Sequence, residues 1–174
     1  DDDDDDGSDG KTRKRRSRWW RKNKKTRDYF KDAILDGCDP HRRTALYWAA
    51  RSGNNPMVLE LIDKGCYVNL YQQNRGTPLY IAAQNNHLEV VQTLLINGGD
   101  YRIRTIEGAS PIHVAAQNGH TDIVRALLDA GAPANEQSSS DAVGPLFLAA
   151  QNGHVSTVQL LLEKGADPNK LSVV

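Results

Sequence analysis

Three histidines recur at matched positions, and they are the residues of this chain whose type and spacing could most readily support chemistry. His87, His120 and His154 each close a copy of the stretch AAQNNH or AAQNGH. Histidine is a common metal ligand and general base, so the pattern could describe a triplicated site. A metal holds its nitrogen ligands at about 2.0–2.1 Å, however, and packed helices lie about 8–10 Å apart. Equivalent histidines of neighbouring units therefore cannot share a metal, and we predict no metal site.

The rest of the sequence offers no other catalytic constellation. His113 lies seven residues before His120, which does not match the HExxH motif. Walker, GxGxxG and GxSxG motifs are absent from the sequence, and no cysteine and histidine form a known nucleophile pattern. Cys38 and Cys66 each follow a glycine, a placement that suits small, reduced and buried side chains. We predict a protein that is not an enzyme and binds no cofactor.

The elements that carry these histidines repeat with a period of 33 residues. Alanine pairs begin at residues 49, 82, 115 and 149, with spacings of 33, 33 and 34. A unit this short cannot bury its apolar side chains alone, so neighbouring units must stack and share one core. Glycines keep the same phase, sixteen residues after the first alanine of each pair, at Gly65, Gly98, Gly131 and Gly165.

Each unit carries the signals of two short helices. Thr77-Pro78 places a hydroxyl at the N-cap and a proline at the first helical position. A second stretch has apolar residues at helical spacing, as at Val90 and Leu94, and a glycine such as Gly98 ends it in a left-handed conformation. About a dozen residues between units are enough for a turn or hairpin.

Three segments carry the repeat most clearly: TPLYIAAQNNHLEVVQTLLINGG at 77–99, SPIHVAAQNGHTDIVRALLDAGA at 110–132 and GPLFLAAQNGHVSTVQLLLEKGADPN at 144–169. They resemble the ankyrin repeat, and TALYWAARSGNNPMVLELIDKGC at 44–66 is similar but looser. The resemblance implies an all-α ankyrin-repeat solenoid of helix-turn-helix units with short hairpin fingers. In that family the recurring histidines are structural hydrogen-bonding residues.

The resemblance divides the chain into an arm at 1–27 and an ankyrin-repeat domain at 28–174. The four repeats span about 39–70, 71–103, 104–136 and 137–170, and residues 27–36 are interpreted as an N-terminal capping helix. Seven residues separate Gly37 from Thr44, against twelve in the next unit, so the first finger is shortened. The fourth finger has one extra residue near 138–141, and we expect it to be the most mobile.

The family resemblance also implies where a partner protein would bind. Ankyrin partners contact the finger tips and the two residues after the alanine pair. The N-terminal half of this surface is basic, and the C-terminal half is nearly uncharged. The corresponding residues are His41, Arg43, Arg51, Ser52, Gln73, Asn74, Gln84, Asn85, Ile106, Glu107, Gln117, Asn118, Ser140, Asp141, Gln151 and Asn152.

Two residues depart from their equivalents in the other repeats. Ile106 is expected at an exposed finger tip beside arginines, where it would either anchor a partner or pack against Tyr71 or the next finger. Trp48 occupies a position that is aliphatic in the other repeats. We interpret Trp48 as a core residue, with a partner contact as the alternative.

The resemblance implies one modification site. Ankyrin arrays in animals are often hydroxylated on the asparagine after the second helix, with leucine eight residues before it and an acid two before it. Leu161, Asp167 and Asn169 match this context, whereas Asn69 and Asn135 lack the acid. Asn169 is therefore the candidate substrate of an asparaginyl hydroxylase.

The N-terminal arm is strongly charged. Residues 1–10 hold seven aspartates, and residues 11–27 hold eleven lysines or arginines without an acid, which leaves eleven basic and fifteen acidic residues from Asp28 onward. Such a segment is expected to be disordered. It could be a nuclear import signal, a patch for nucleic acid or anionic membrane with Trp19-Trp20 at its centre, or a solvated linker. Its basic clusters include Lys14, Arg15, Arg16, Arg21, Lys22, Lys24 and Lys25.

These observations lead to two hypotheses of different classes. The first is a protein–protein interaction scaffold that binds another protein through its fingers and concave helical face. The second is association with nucleic acid or an anionic membrane through the arm, with the repeats as accessory. No run approaches the ~18 apolar residues of a transmembrane span, and no secretory signal is evident, so we expect an intracellular protein in the cytoplasm or nucleus. The second helix of the last repeat looks internal, so we expect the array to continue beyond this chain.

Overall fold

A computed structural model describes residues 38–138 and 143–170 of the chain. The predicted arm, the capping helix at 27–36, and the predicted contact residues Ser140 and Asp141 lie outside the described residues. Eight α-helices fall in the described ranges, and none of them is long and apolar enough to cross a membrane. They are α1 (Ala45–Arg51), α2 (Asn55–Asp63), α3 (Pro78–Gln84), α4 (Leu88–Ile96), α5 (Pro111–Gln117), α6 (Thr121–Asp129), α7 (Pro145–Gln151) and α8 (Val155–Glu163).

The helices form four antiparallel pairs that stack in one direction. The first helices of the pairs pack in the order α1, α3, α5, α7, and the second helices in the order α2, α4, α6, α8. Leu79 and Ile112 are buried at equivalent positions of the first helices, and Val91 and Val124 at equivalent positions of the second. Burying each such side chain contributes about 1.5–3 kcal/mol. The predicted all-α repeat solenoid is therefore confirmed.

The N-caps explain why each first helix begins where it does. Thr77 Oγ1 accepts a hydrogen bond from the Tyr80 backbone N–H at 3.2 Å, and Thr44 does the same for Tyr47. The cap hydroxyl satisfies one of the N–H groups that a helix start leaves unpaired. Gly144 occupies this position in the fourth unit without a cap side chain, as its sequence predicts.

The predicted left-handed turns are present at two places in every unit. Gly65, Gly98, Gly131 and Gly165 follow the second helices with φ between 85° and 100°. Three other glycines have φ of 71° to 74° between the two helices of a pair, where the second unit has Asn86 with φ 62°. Glycine adopts this conformation without the steric penalty of a Cβ, and asparagine tolerates it better than most residues.

The fingers are tight turns closed by backbone hydrogen bonds. The Gln72 N–H donates to the Gly76 carbonyl at 3.0 Å, and the Thr105 N–H to the Ala109 carbonyl at 2.9 Å. The first finger has the same turn, since the Asp39 N–H donates to Arg43. The residues that the first finger lacks therefore come before its tip in the sequence. In the fourth finger, Ser138 bonds to Val143, which spans one residue more.

Two asparagines tie the base of one finger to the next. The Asn69 side chain donates to the Gly98 carbonyl and accepts from the Asp100 N–H, both at 2.8 Å. Asn135 makes the same pair of bonds with the fourth unit, at 3.0 and 2.7 Å. The second unit has Arg102 at this position, which instead hydrogen bonds to Asp100 of its own finger.

The expectation of buried cysteines is correct for one of the two. Neither cysteine forms a disulfide; Cys66 is buried, but Cys38 is exposed. Cys66 lies at the junction of the first and second units. Cys38 precedes the first helix pair, and no described helix pair packs on that side. The prediction was wrong for Cys38 because a glycine-cysteine dipeptide does not indicate whether a neighbouring helix pair packs on the cysteine.

One substitution pair tests how the units are locked together. Gly119 and Gly153 share a left-handed conformation, but a Cβ at Gly119 would come within 2.5 Å of the His154 ring, whereas a Cβ at Gly153 would meet nothing within 4 Å. Gly119→Ala should lower the free energy of unfolding by about 1–3 kcal/mol more than Gly153→Ala, because the ring must move. Urea denaturation measures the difference. In a protein that also carries His154→Ala, the two substitutions should lower the free energy of unfolding equally. If the difference between them persists there, the His154 ring is not what a Cβ at Gly119 meets.

Candidate functional site

The ends of the first helices form one row of exposed residues that the recurring histidines hold in place. His87, His120 and His154 donate from Nε2 to the backbone carbonyl of the residue that ends the first helix of the preceding unit, at 2.9, 3.1 and 2.9 Å. A carbonyl only accepts, so Nε2 carries the hydrogen. The implied structural role of the histidines is therefore confirmed. The accepting residues are Arg51, Gln84 and Gln117, all of them predicted partner contacts.

The two residues that follow each alanine pair differ in how their side chains are engaged. Asn85 and Asn152 donate from Nδ2 to carbonyls of their own helices at 2.8 Å, and Asn118 donates to the Gln84 carbonyl at 3.2 Å. Ser52 likewise bonds to Ala49. The glutamines at the first position, Gln84, Gln117 and Gln151, are exposed and make no side-chain hydrogen bond with another described residue. These three glutamines thus present free amides at regular intervals.

The finger tips form a second row, linked through the backbone. The Gln73 N–H donates to the His41 carbonyl at 3.0 Å, and the Ile106 N–H donates to the Asn74 carbonyl at 2.9 Å. His41, Gln73 and Asn74 are exposed, as is Glu107. These bonds fix the position of each finger tip relative to the next. A partner that spans several repeats would therefore contact finger tips at a fixed spacing.

Ile106 lies at the exposed tip, as its sequence position predicts. Its side chain is 69% exposed, which excludes burial against Tyr71 or another described finger residue. Together with His41, Arg43, Gln72, Gln73 and Asn74, it lines a cleft of about 350 Å³ between the tips. An apolar side chain at the edge of a polar cleft is typical of a contact residue.

Trp48 is not a core residue, so that interpretation was wrong. The equivalent Ile81 and Val114 are buried, but Trp48 is 42% exposed. Its ring lies between two guanidinium groups, with Arg43 Cζ at 4.5 Å and Arg51 Cζ at 5.2 Å from the ring centroid. The slot that accepts isoleucine or valine is too small for an indole, and two cation–π contacts stabilise the ring at the surface.

A polar network at the end of the third unit reaches the fourth, since Arg104 donates to the Gln137 carbonyl. Arg104 pairs with Glu136 at 2.7 Å, Ser110 Oγ donates to the other Glu136 oxygen at 2.9 Å, and Ser110 Oγ lies 2.8 Å from His113 Nδ1. His113 is 1% exposed, and its Nε2 has no hydrogen-bond partner among the described residues. Burial, with the nearby Arg104 charge, lowers the pKa of His113 to about 4, although the Val143 and Glu136 backbones oppose the shift.

These groups do not form a catalytic arrangement. Ser110 donates to Glu136, and its serine side chain is fully buried, so it is inaccessible as a nucleophile. Among residues 38–138 and 143–170, no three His, Cys, Asp or Glu side chains lie close enough to hold a metal ion. The network instead fixes the third finger against the fourth unit.

The structure also has an apolar hollow that we did not expect. It has a volume of about 310 Å³ and lies beside α7 and α8, where Leu146, Phe147 and Leu162 line it. Phe147 is 54% exposed, whereas its equivalents Tyr47 and His113 are buried. No described helix pair covers this side of the fourth unit. The sequence pattern could not distinguish this end from an internal interface, because the apolar positions are the same.

Sequence reasoning missed Arg75, a surface residue that lies beside the predicted ones. It is exposed at the finger position equivalent to Arg42, which belongs to the predicted basic half; both have positive φ, and Arg75 lies over the Tyr71 ring at 5.6 Å. The recurrence of arginine at this position, 33 residues apart, could have identified it. Asn169 is exposed, and its N–H donates to Asp167 Oδ1 at 2.9 Å.

Comparison with known protein families gives one match. A family model described as ankyrin repeats in three copies matches residues 22–105 and 93–172, which together cover most of the chain. No curated protein matches this chain.

The buried histidine makes stability depend on pH. The unfolded pKa of histidine is about 6.5, so below that pH the unfolded chain binds a proton that folded His113 resists down to about pH 4. Between pH 7 and pH 4.5 this residue should therefore lower the free energy of unfolding by about 2–3 kcal/mol. The variant His113→Phe carries the residue type that the fourth unit has at this position. In urea denaturation, its free energy of unfolding should fall less than that of the native protein over this pH range, by the amount just given. Equal losses in the two proteins would contradict the low pKa.

Proposed function

We propose, from the premise that this chain belongs to the ankyrin-repeat family, that it is a non-enzymatic scaffold that binds a partner protein through its finger tips and first-helix ends. Ankyrin repeats generally mediate protein–protein interaction. The binding residues are those implied by the family: the exposed finger tips around His41, Gln73 and Ile106 and the helix ends at Arg51 and Gln84 and their equivalents.

One observation carries this proposal: the free glutamine amides at Gln84 and Gln117 belong to residues whose backbone carbonyls are held by histidine hydrogen bonds. Preorganised polar groups lose little entropy when they bind, which favours recognition of a protein surface. Among the described second helices, the side-chain bonds between neighbouring units differ from one pair to the next and involve Asn55–Glu89, Thr121–Thr157 and Lys164–Asp129.

A second candidate function rests on the arm. Its eleven basic residues at 11–27, around Trp19-Trp20, favour association with nucleic acid or an anionic membrane. In that case the repeats would be accessory. We favour the scaffold because the repeats make up most of the chain and present the organised surface. We place its activity inside the cell, in the cytoplasm or nucleus.

The scaffold proposal predicts where a partner can be cross-linked. A photoreactive phenylalanine derivative at Gln84 or Gln117 should capture the partner, and the same group at Gln92 or Gln159 on the second helices should not. All four residues are exposed, so the comparison isolates position from accessibility. Mass spectrometry of the cross-linked peptides gives the result. Equal capture at all four positions would contradict the proposed surface, and capture abolished by neutralising Lys14, Arg15 and Arg16 would favour the arm.

Asn169 is proposed as the substrate of an asparaginyl hydroxylase. The family context of Leu161 and Asp167 supports it, and the Asp167 carboxylate beside the Asn169 backbone could accept a hydrogen bond from an added hydroxyl. Mass spectrometry of protein from animal cells should show one added oxygen on this peptide, and Asn169→Gln should abolish it. A peptide without added oxygen would exclude the modification in those cells.

A further inference from the structure

The first two units present a surface that is both basic and aromatic. We define it by Arg42, Arg43, Trp48, Arg51 and Arg75 and call it the arginine–tryptophan surface. Trp48 lies between the Arg43 and Arg51 guanidinium groups and remains 42% exposed. The core gains little from an indole in that position, so its retention at the surface points to a contact outside the fold.

Three arginines of this surface have no acidic partner in the part of the chain that the structure describes. Arg43 bonds to Asp39 Oδ2 at 2.6 Å, but Arg42, Arg51 and Arg75 form no ion pair with any carboxylate in the described residues. Charge-assisted bonds between a guanidinium and a carboxylate are among the stronger polar contacts, and guanidinium presents its donors in a fork that matches a carboxylate. The surface therefore complements a ligand that brings carboxylates.

The carboxylates of the same units are either paired in the fingers or lie on the second helices. Asp39 pairs with Arg43 and Asp100 with Arg102. Glu60 and Asp63 belong to α2, and Glu89 belongs to α4. The unpaired arginines are thus on the first-helix and finger side, away from the carboxylates of the second helices. An acidic partner would be drawn to one side of the array and repelled from the other.

The cleft between the finger tips extends this surface. Arg43 belongs to both, and the cleft continues past Gln73 and Asn74 to the exposed Ile106. The amides can donate to and accept from a peptide backbone, and Ile106 offers an apolar contact. This mixture of groups fits a polypeptide better than a phosphate backbone, which would have no use for Ile106.

We propose that the arginine–tryptophan surface and the adjoining cleft bind an extended acidic segment of the partner protein. Carboxylates of that segment bind the guanidinium groups of Arg42 and Arg51, its backbone follows the cleft amides, and an apolar side chain contacts Ile106. This inference rests on the proposed function, since it names the chemistry of the partner.

The test uses the full chain and a synthetic probe. The probe is a short fluorescein-labelled peptide of alternating glutamate and glycine with one central leucine, and the control peptide has glutamine for every glutamate. Anisotropy titration should show binding of the acidic peptide, weakening as salt increases, and far weaker binding of the control. Removal of each exposed charge contact should weaken binding about 3-fold, so R42Q/R51Q should lose about 10-fold.

A variant on another face of the array controls for the loss of a positive charge as such. Arg125 is exposed on α6, so Arg125→Gln should leave probe affinity unchanged. Equal affinity of the native chain, R125Q and R42Q/R51Q would overturn the proposal, because the probe would then be held by the basic arm. Binding that appears only when the seven aspartates of residues 1–10 are replaced by asparagine would also overturn it, since the chain's own acidic run would be the occupant. Cross-linking at Gln84 without probe binding would overturn this inference and leave the scaffold function standing.

Discussion

The hydrogen bond from a histidine Nε2 to the helix-end carbonyl of the preceding unit is the interaction on which the rest of this array depends. It joins the start of one second helix to the end of the previous first helix, and it recurs at His87, His120 and His154. Because the donor and acceptor belong to adjacent units, each bond sets the offset between units as well as joining them. Gly53 and Gly119, two residues after the acceptors, leave room for the rings of His87 and His154, which links the backbone conformation of one unit to a side chain of the next.

The array thus uses its polar chemistry for architecture. Asn69 and Asn135 bind the base of the following finger, and Ser110, His113, Glu136 and Arg104 form a polar network at the end of the third unit that reaches the fourth. A buried polar group is costly unless it is hydrogen bonded, so these residues specify one arrangement of neighbours as much as they stabilise it. What remains free for recognition is a smaller set: the glutamines of the helix ends, the finger-tip side chains and the unpaired arginines.

The errors of sequence reasoning concern surfaces, and they share one cause. Period and residue type place Trp48 in register with Ile81 and Val114, which are buried, yet the indole does not fit the same slot and lies at the surface between two arginines. Cys38 shares its dipeptide with Cys66 but lacks a described helix pair to cover it. Within the repeated Gln-Asn pair, the asparagine is engaged by backbone carbonyls and the glutamine is not, a difference that needs three-dimensional contacts to detect.

The sequence by itself determined the all-α repeat fold, the order and approximate bounds of the helices, and the glycine turns that separate them. It could do so because these features depend on local rules: capping hydroxyls, left-handed glycines, and an apolar period that no single unit can bury alone. Only the tertiary structure decided which histidine donates to which carbonyl, which arginines lack a carboxylate, and that Trp48 faces solvent. Those outcomes depend on atoms brought together from units about 33 residues apart, and the energy of such contacts is absent from any local pattern.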